Sequence, residues 1–329
     1  MNEAHENERR RHALTESRST QRVGLSPRLW LARHFPLDLG ARIEDTILIS
    51  GVGRSGTTWL ADFLNFDTRC RDMFEPFHAW KVPRARVLQG SWYQRVNDEP
   101  PEAFTRYVES ILRGRVRHPW IDRFNRRFLS RARIVKAIRA DLFLPWVAWR
   151  FPELRIVHLI RHPAAIAQSR ARLPSRWEWR PSLHELLAQD QLEASLSSSQ
   201  IEVCEGATTS FEQHVATWCL ATRAVLTGVP SSRRVTVFYE DLLTGAETVV
   251  RHTFEALDMP WNPRCLQVQW RASATARGRP DRSGPPETAV ADWITRMEAG
   301  ERRWLDRSLD AFELGDLYGA NGFPQTRGS

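Results

Sequence analysis

Four short apolar runs, each followed by a stretch with helical character, constrain the fold of this chain more than any other feature. They are TILIS at 46–50, IVKAI at 134–138, IVHLI at 156–160 and VTVF at 235–238. Runs without polar alternation are typical of strands that are buried on both faces of a parallel sheet. Strands that alternate with helices predict an α/β fold of three layers, in which helices flank a central, mostly parallel sheet.

The chain reads as one domain preceded by a polar tail. Residues 1–25 have no apolar core, so they predict a disordered tail and no secretory signal. No linker separates two complete strand–helix patterns, so residues 26–329 predict a single domain. Two segments break the rhythm: 182–210 predicts a helix and then a mobile loop, and 272–287 predicts an irregular loop rich in Gly, Pro, Arg and Ser.

The composition of the chain limits the cellular compartments and the types of ligand to be expected. No uncharged apolar run approaches the roughly 18 residues of a membrane span. The four cysteines lie far apart without a Cys-x-x-Cys pair, which fits a reducing compartment and argues against a zinc ribbon. We therefore expect a cytoplasmic protein without a transmembrane segment or a metal. The formal net charge of +8 favours an anionic ligand.

A strand that leads into a glycine-rich turn and then a helix is the strongest local motif. The turn is GVGRSGTT at 51–58. Its glycines allow several backbone N–H groups to surround one phosphate, and the helix start adds a partial positive charge. Thr57 stands where the Walker pattern has its lysine, and no later strand ends in an obvious Walker-B aspartate. The turn therefore predicts a P-loop-like site for a 5′-phosphate group and disfavours an ATPase.

This turn resembles the 5′-phosphosulfate loop of sulfotransferases that use 3′-phosphoadenosine-5′-phosphosulfate (PAPS). The resemblance implies that the cofactor is bound by Gly53, Arg54, Ser55, Gly56, Thr57, Thr58 and Trp59. It further implies that Arg54 holds the 5′-phosphate and its bridging oxygen, and that Trp59 packs on the adenine. The cytosolic branch usually has Lys at position 54, so the arginine is closer to the carbohydrate sulfotransferases.

A second motif is RIVHLIRHPAAIAQSR at 155–170. Its predicted strand ends at Ile160, and Arg161 follows at the carboxyl end of that strand. Ligands bind at the carboxyl ends of strands in open α/β sheets, and a guanidinium there can hold phosphate oxygens with two hydrogen bonds. The motif resembles the 3′-phosphate motif of the same family, which implies that Arg161 and Ser169 bind that phosphate. His162 replaces the usual aspartate.

Two further matches leave alternatives open. Tyr239 resembles the tyrosine that approaches the adenine in this family, although an acidic helix cap explains the following Glu240 and Asp241 equally well. Arg277 and Gly278 resemble the segment that closes on the 3′-phosphate, although a solvated basic loop is the equal alternative.

Sulfuryl transfer needs cations at the phosphate that leaves. Arg54 is the first candidate. Lys136 is the second, because it is one of only two lysines and lies in an otherwise apolar strand. An unpaired ammonium would be costly in such a place. Arg139 follows as a weaker candidate for contact with the acceptor.

The reaction also needs a base. The cytosolic branch has a catalytic histidine where this chain has Ile138. The segment MFEPFHAW at 73–80 instead resembles the Phe-Glu-Pro segment of carbohydrate sulfotransferases, which implies Glu75 as the general base. The aromatic neighbours of Glu75 predict a raised pKa for its carboxyl. His78 is the rival base.

The leading function is therefore sulfuryl transfer from PAPS to a hydroxyl, and less favourably an amine, of a small-molecule or glycan acceptor such as a carbohydrate or glycolipid. The product would be 3′-phosphoadenosine 5′-phosphate (PAP). The alternatives are a P-loop kinase of a nucleotide or sulfate metabolite and a nucleotide-binding member without activity. No recognised nucleic-acid module appears, so no nucleic-acid partner is expected.

Overall fold

The computed structural model describes residues 26–88, 94–96, 99–172, 183–270 and 292–325. Seven strands are described: β1 Leu37–Asp38, β2 Thr46–Ser50, β3 Arg71–Phe74, β4 Leu129–Ser130, β5 Arg133–Ala137, β6 Arg155–Ile160 and β7 Val235–Phe238. Five of them form a parallel sheet in the order β3-β5-β2-β6-β7, and β1 pairs with β4 in a separate parallel ladder. The predicted parallel sheet is confirmed.

All four predicted strands lie in this sheet. β2 and β7 have the predicted bounds, β5 is displaced by one residue towards the N-terminus, and β6 begins one residue earlier than predicted. Every residue of β2 and β5 is buried, as expected for strands covered on both faces. β3, with the sequence RDMF, is missing from the prediction because Arg71 does not resemble a residue of a buried strand.

Helices cover both faces of the sheet. They are α1 Pro27–His34, α2 Thr57–Leu64, α3 Glu102–Leu112, α4 Leu144–Arg150, α5 Pro163–Ala171, α6 Leu183–Leu187, α7 Asp190–Glu193, α8 Ser198–Glu205, α9 Ser210–Gly228, α10 Tyr239–Thr244, α11 Ala246–Ala256 and α12 Ala299–Ala311. Alternate residues of β2 enter different cores: Ile47 and Ile49 pack with Leu60 of α2, whereas Leu48 packs with Val108 of α3. This alternation gives the predicted three layers. In the described ranges no helix has the length and apolarity needed to cross a membrane.

The predicted loop within 182–210 is wrong. α6, α7 and α8 occupy most of this segment. The serine run that suggested a loop is a helix start, because Ser197 Oγ accepts a hydrogen bond from the Gln200 N–H and the Gln200 side chain accepts one from the Ser197 N–H. The predicted tail at 1–25 and the predicted loop at 272–287 lie outside the described residues.

Two fully buried arginines stand side by side at the amino ends of β3 and β5. Arg71 and Arg133 are register partners. Arg133 donates two hydrogen bonds to the Asp38 carboxylate at 2.7 and 3.0 Å, and Arg71 donates two to Asp122 at 2.8 and 3.0 Å. Each buried guanidinium is therefore neutralised by a carboxylate from outside the five-stranded sheet.

Candidate active site

The turn at 51–56 joins β2 to α2 at the carboxyl edge of the sheet. Gly51 and Gly56 have φ angles of +140° and +102°. A Cβ on Gly51 would lie 2.4 Å from the Leu159 carbonyl oxygen, and one on Gly56 would lie 2.7 Å from the Tyr239 ring. Both positions therefore require glycine. The first N–H groups of α2 have no partner within the helix, which suits an anion at this turn.

The two predicted phosphate motifs meet in space. Arg54 Nε donates a hydrogen bond to Ser169 Oγ at 3.2 Å, and Arg161 Nη1 donates one to the Arg54 carbonyl oxygen at 3.1 Å. More than a hundred residues separate the motifs along the chain. The parallel order of β2 and β6 brings them together, because the carboxyl ends of neighbouring parallel strands share one edge.

Arg170 is a third guanidinium at the turn, and sequence reasoning missed it. It is buried, and it donates a hydrogen bond to the Gly53 carbonyl oxygen at 3.0 Å. Burial lowers the pKa of Arg54, and the charges of Arg161 and Arg170 lower it further. Arg170 directly follows Ser169, but 45 of the residues in this chain are arginines, which obscured the signal.

Arg54 and Arg161 form no ion pair with any carboxylate in the described ranges. In the described ranges Arg54 donates to a hydroxyl and Arg161 to a carbonyl oxygen, and the nearby carboxyl of Glu240 interacts with Arg161 electrostatically without forming an ion pair. Guanidinium groups that converge on a glycine-rich turn without an ion-paired carboxylate make a favourable anion site.

Tyr239 lies beside this turn, as its sequence position predicts. The Arg161 guanidinium carbon lies 4.2 Å from the centre of the Tyr239 ring. Trp59 contacts the same ring at 5.8 Å and packs on Phe63 at 5.2 Å between ring centres. Trp59 is only 5% exposed, so it belongs to the core under the turn. Its contact with an adenine stays a prediction.

His162, which stands in place of the usual aspartate, caps the start of α5. Its Nδ1 accepts a hydrogen bond from the Ala164 N–H at 3.3 Å at the start of α5. Burial, followed by the charge of Arg161, lowers the pKa of His162 to about 3, so the ring is neutral and can accept. The ring also stacks on Trp293 at 3.8 Å.

Glu240 supports the turn formed by Arg161 and His162 at the end of β6. Its carboxylate accepts hydrogen bonds from the His162 N–H at 3.0 Å and from the Tyr318 hydroxyl at 3.1 Å. Burial raises the pKa of Glu240 to about 7. A role as a helix cap therefore does not account for all contacts of Glu240. Its carboxylate also connects α10 to the Arg161–His162 turn and to Tyr318 in the C-terminal segment.

Lys136 and Glu75 meet next to the phosphate turn. Lys136 Nζ donates a hydrogen bond to Thr58 Oγ1 at 2.8 Å and lies 3.3 Å from the Glu75 carboxylate. Arg139 Nη1 donates to the other Glu75 oxygen at 2.8 Å. All three charged side chains are buried. Two proposed catalytic groups are thus connected to the turn through one hydroxyl.

The backbone is strained at two of the predicted catalytic residues. Glu75 has a φ of +42° and Arg54 a φ of +80°, in the left-handed region that side chains disfavour. Such residues cost of order 1–3 kcal/mol each and cluster at functional sites. The strain supports a functional reason for both positions.

The predicted raised pKa of Glu75 is wrong. Burial alone would raise it, but the charges of Lys136 and Arg139 and the hydrogen bond from Arg139 outweigh burial and hold the pKa below its usual value. Glu75 is therefore a carboxylate throughout the neutral range. Burial, with a smaller effect of Arg139, lowers the pKa of the rival base His78 to about 3, so His78 is neutral in the same range.

The buried carboxyl group of Asp141, which the sequence analysis did not identify, supports the phosphate turn. Asp141 Oδ1 accepts a hydrogen bond from the Gly51 N–H at 3.1 Å. Ser50 Oγ lies 2.8 Å from His158 Nδ1 beside it. Burial raises the pKa of Asp141 to about 7, against the hydrogen bonds from Gly51 and Ser50.

Asp141→Asn should change how stability depends on pH. Because the pKa of Asp141 rises from 3.8 to about 7 on folding, its contribution to the free energy of unfolding falls as pH rises through this window. The amide keeps an acceptor for Gly51 but carries no charge. Relative to the wild type, the free energy of unfolding of the variant should rise by about 3 kcal/mol between pH 5 and pH 8. Urea unfolding at pH 5 and pH 8 measures this gain, and a pH-independent difference would contradict it.

No described group of three or more His, Cys, Asp or Glu side chains is arranged to hold a metal ion. The predicted cofactor residues Arg277 and Gly278 lie outside the described ranges.

The family profile described as the sulfotransferase family matches residues 46–263, which is more than half of the chain. The match begins at β2 and includes both phosphate motifs, Glu75 and Lys136. No curated protein sequence matches the chain.

Several solved structures are similar to this one. The sulfotransferase domain from the curacin biosynthetic pathway is 16% identical over 84% of this chain and 98% of that chain, with a TM-score of 0.44. Sulfotransferase STF9 from Mycobacterium avium is 12% identical over 83% and 78%, with a TM-score of 0.46. Retinol dehydratase in complex with retinol and PAP is 13% identical over 88% and 85%, with a TM-score of 0.45. By the family profile and its matched span, the chain belongs to the sulfotransferase family.

Proposed function

We propose that this protein transfers a sulfuryl group from PAPS to a hydroxyl of a small-molecule or carbohydrate acceptor. The observation that carries the proposal is the convergence of Arg54 and Arg161, both without a carboxylate partner in the described ranges, on the glycine turn. Two guanidinium groups at one turn, neither ion-paired with a carboxylate in the described ranges, suit a ligand with two phosphate groups. Family membership makes PAPS that ligand.

The residues divide the work between binding and chemistry. The N–H groups of the turn, Arg54 and the Thr57 hydroxyl would bind the 5′-phosphate, and Arg161 with Ser169 would bind the 3′-phosphate. PAPS supplies an activated sulfuryl group, which leaves its 5′-phosphate as a new bond to the acceptor oxygen forms. Lys136 is held against Thr58 at 2.8 Å, close enough to the turn to stabilise charge on the departing phosphate.

Glu75 would take the proton of the acceptor hydroxyl. Because the pKa of Glu75 is lowered, its carboxyl group is ionised at neutral pH. The two cationic neighbours, Lys136 and Arg139, fix its position. A carboxylate of low pKa is a weak base, so its effectiveness depends on placement rather than on basicity. Trp80, close to His78 and 53% exposed, offers an apolar surface on which a sugar ring of an acceptor can pack.

The function is tested in two steps. Isothermal titration should show that PAP binds to the protein without added metal, and that AMP, which lacks the 3′-phosphate, binds more weakly. Incubation with PAPS labelled in its sulfate should then transfer label to a hydroxylated acceptor from a panel of sugars, glycolipids and phenols. Turnover of ATP with magnesium and no transfer from PAPS would instead support the kinase alternative.

Arg161→Ala should weaken PAP binding by about ten- to a hundredfold, the effect of losing charge-assisted hydrogen bonds. The loss should appear in the dissociation constant for PAP and in KM for PAPS more than in kcat. Arg172→Ala is the matched control. Arg172 is an exposed arginine at the C-terminal end of α5, the helix that follows Arg161. Equal affinity of the Arg161 variant and the wild type for PAP would reject the assignment.

A further inference from the structure

Seven of the nine most exposed large hydrophobic side chains in the described ranges lie in two short segments. They are Trp30, Leu31, Phe35, Leu37, Leu39, Phe128 and Leu129, each between 38% and 56% exposed. Proteins usually scatter such side chains singly, and a contiguous group marks a surface that contacts another molecule or a membrane. We name the surface formed by residues 26–41 and 126–131 the N-terminal patch.

The two segments form one surface. Leu37 and Leu129 are register partners in the parallel β1–β4 ladder, so their side chains project to the same side. Leu39 shares that side, because side chains alternate along an extended chain. Asn125 ties α1 to the second segment by donating a hydrogen bond to the Ala32 carbonyl oxygen at 2.7 Å.

The exposed formal charges of the N-terminal patch are all positive. Its arginines are Arg28, Arg33, Arg126, Arg127 and Arg131. Burial lowers the pKa of Arg33, and the positive charge of Arg126 lowers it further. The arginines of the two segments therefore lie close enough to interact. Asp38 is the one carboxyl group in the two segments, and it is buried and paired with Arg133. The exposed part of the patch is therefore apolar and cationic.

We propose that the N-terminal patch docks this protein on an anionic lipid surface. The leucine and aromatic side chains would enter the boundary between headgroups and acyl chains, and the arginines would contact lipid phosphates. A second copy of the chain is a poorer partner, because a symmetric contact would place arginines against arginines. A nucleic acid would match the arginines but leave the leucines exposed to water.

The docked orientation leaves the active site open. Asp38 of the patch pairs with Arg133, the first residue of β5, whereas the phosphate turn follows the last residue of β2. A strand of five residues spans about 16 Å, so the patch and the turn lie at opposite ends of the sheet. The protein on the lipid surface would still receive a water-soluble donor.

Vesicle flotation with the full chain tests this proposal. The protein should float with phosphatidylcholine vesicles that contain phosphatidylglycerol, and not with pure phosphatidylcholine, and high salt should weaken binding. Arg126→Gln with Arg127→Gln should reduce binding by about thirtyfold. Leu39→Ser with Leu129→Ser should reduce it by about tenfold, because less apolar area is buried.

Controls separate the patch from general effects. Trp149→Ser removes a side chain that is 69% exposed outside the patch, and this variant should bind vesicles like the wild type. All variants should keep the wild-type thermal unfolding temperature and affinity for PAP, because the altered side chains are exposed. Three results would overturn the proposal: equal binding to neutral vesicles, unchanged binding of the leucine variant, or a dimer in sedimentation velocity that the leucine variant dissociates while vesicle binding is absent.

Discussion

Glu75→Gln should lower kcat by roughly two to four orders of magnitude, the usual contribution of a positioned general base. The glutamine side chain cannot take the acceptor proton, although it nearly preserves the shape of the carboxylate. Binding of PAP should change little, because Glu75 contacts Lys136 and Arg139 and has no direct contact with the turn. The measurement is kcat with a labelled donor, together with a calorimetric titration of PAP.

The substitution also removes the counter-charge of two buried cations, which must be separated from its effect on catalysis. Thermal unfolding of the variant supplies that correction. Glu75→Asp keeps the charge with a shorter reach and should restore stability more fully than turnover. Because the pKa of Glu75 lies below its usual value, wild-type activity should not require deprotonation of Glu75 near pH 7. Normal turnover by a folded glutamine variant would move the role to His78.

Arg133→Met should lower the free energy of unfolding by about 3–5 kcal/mol, the cost of breaking a buried ion pair by removing one partner. Asp38 would keep its negative charge in a site where its side chain is only 3% exposed. Arg133 also donates to Thr46 Oγ1 at 2.7 Å and to the Leu112 carbonyl oxygen at 2.8 Å, so several acceptors would lose their donor together. Urea unfolding at neutral pH measures the change.

Arg251→Met is the matched control for this prediction. Arg251 pairs with Glu247 along α11 at 2.8 Å, but both side chains are about half exposed. Exposed pairs of this kind contribute about 0.3–0.5 kcal/mol. Adding Asp38→Asn to the Arg133 variant should recover part of the loss, because the uncompensated charge is gone. Equal losses in the Arg133 and Arg251 variants would show that burial of the pair does not matter.

Local patterns were sufficient to predict four of the five strands of the sheet and the phosphate turn. The runs that became β2, β5, β6 and β7 carry their own signal in consecutive apolar residues, and the turn at 51–56 carries its own in glycines. Arg161 could be predicted because its position at a strand end and its spacing to Ser169 resemble the family's 3′-phosphate motif. Local patterns together with the family resemblance therefore identified Arg54, Arg161 and Ser169, which the structure brings to one edge of the sheet.

The rest depended on distant partners. Arg71 of β3 can be buried because its guanidinium pairs with Asp122, which lies 51 residues away. The pKa of Glu75 was wrongly predicted because Lys136 and Arg139, which are more than 60 residues away along the chain, reverse the effect of burial. Asp141 and Arg170 become noticeable only when their hydrogen bonds to the turn are known. A short stretch of sequence does not show which distant residues will pair in the folded protein.

The buried pair of Asp38 and Arg133 also bears on where this protein can be shortened. Expression of residues 46–263 alone, the span shared with the family, would discard Asp38 at one end and the Tyr318 hydroxyl that donates to Glu240 at the other. Truncation would thus leave the Arg133 guanidinium without its carboxylate partner and would loosen the support of Arg161. We expect the smallest fragment that folds cooperatively to run from α1 to beyond Tyr318.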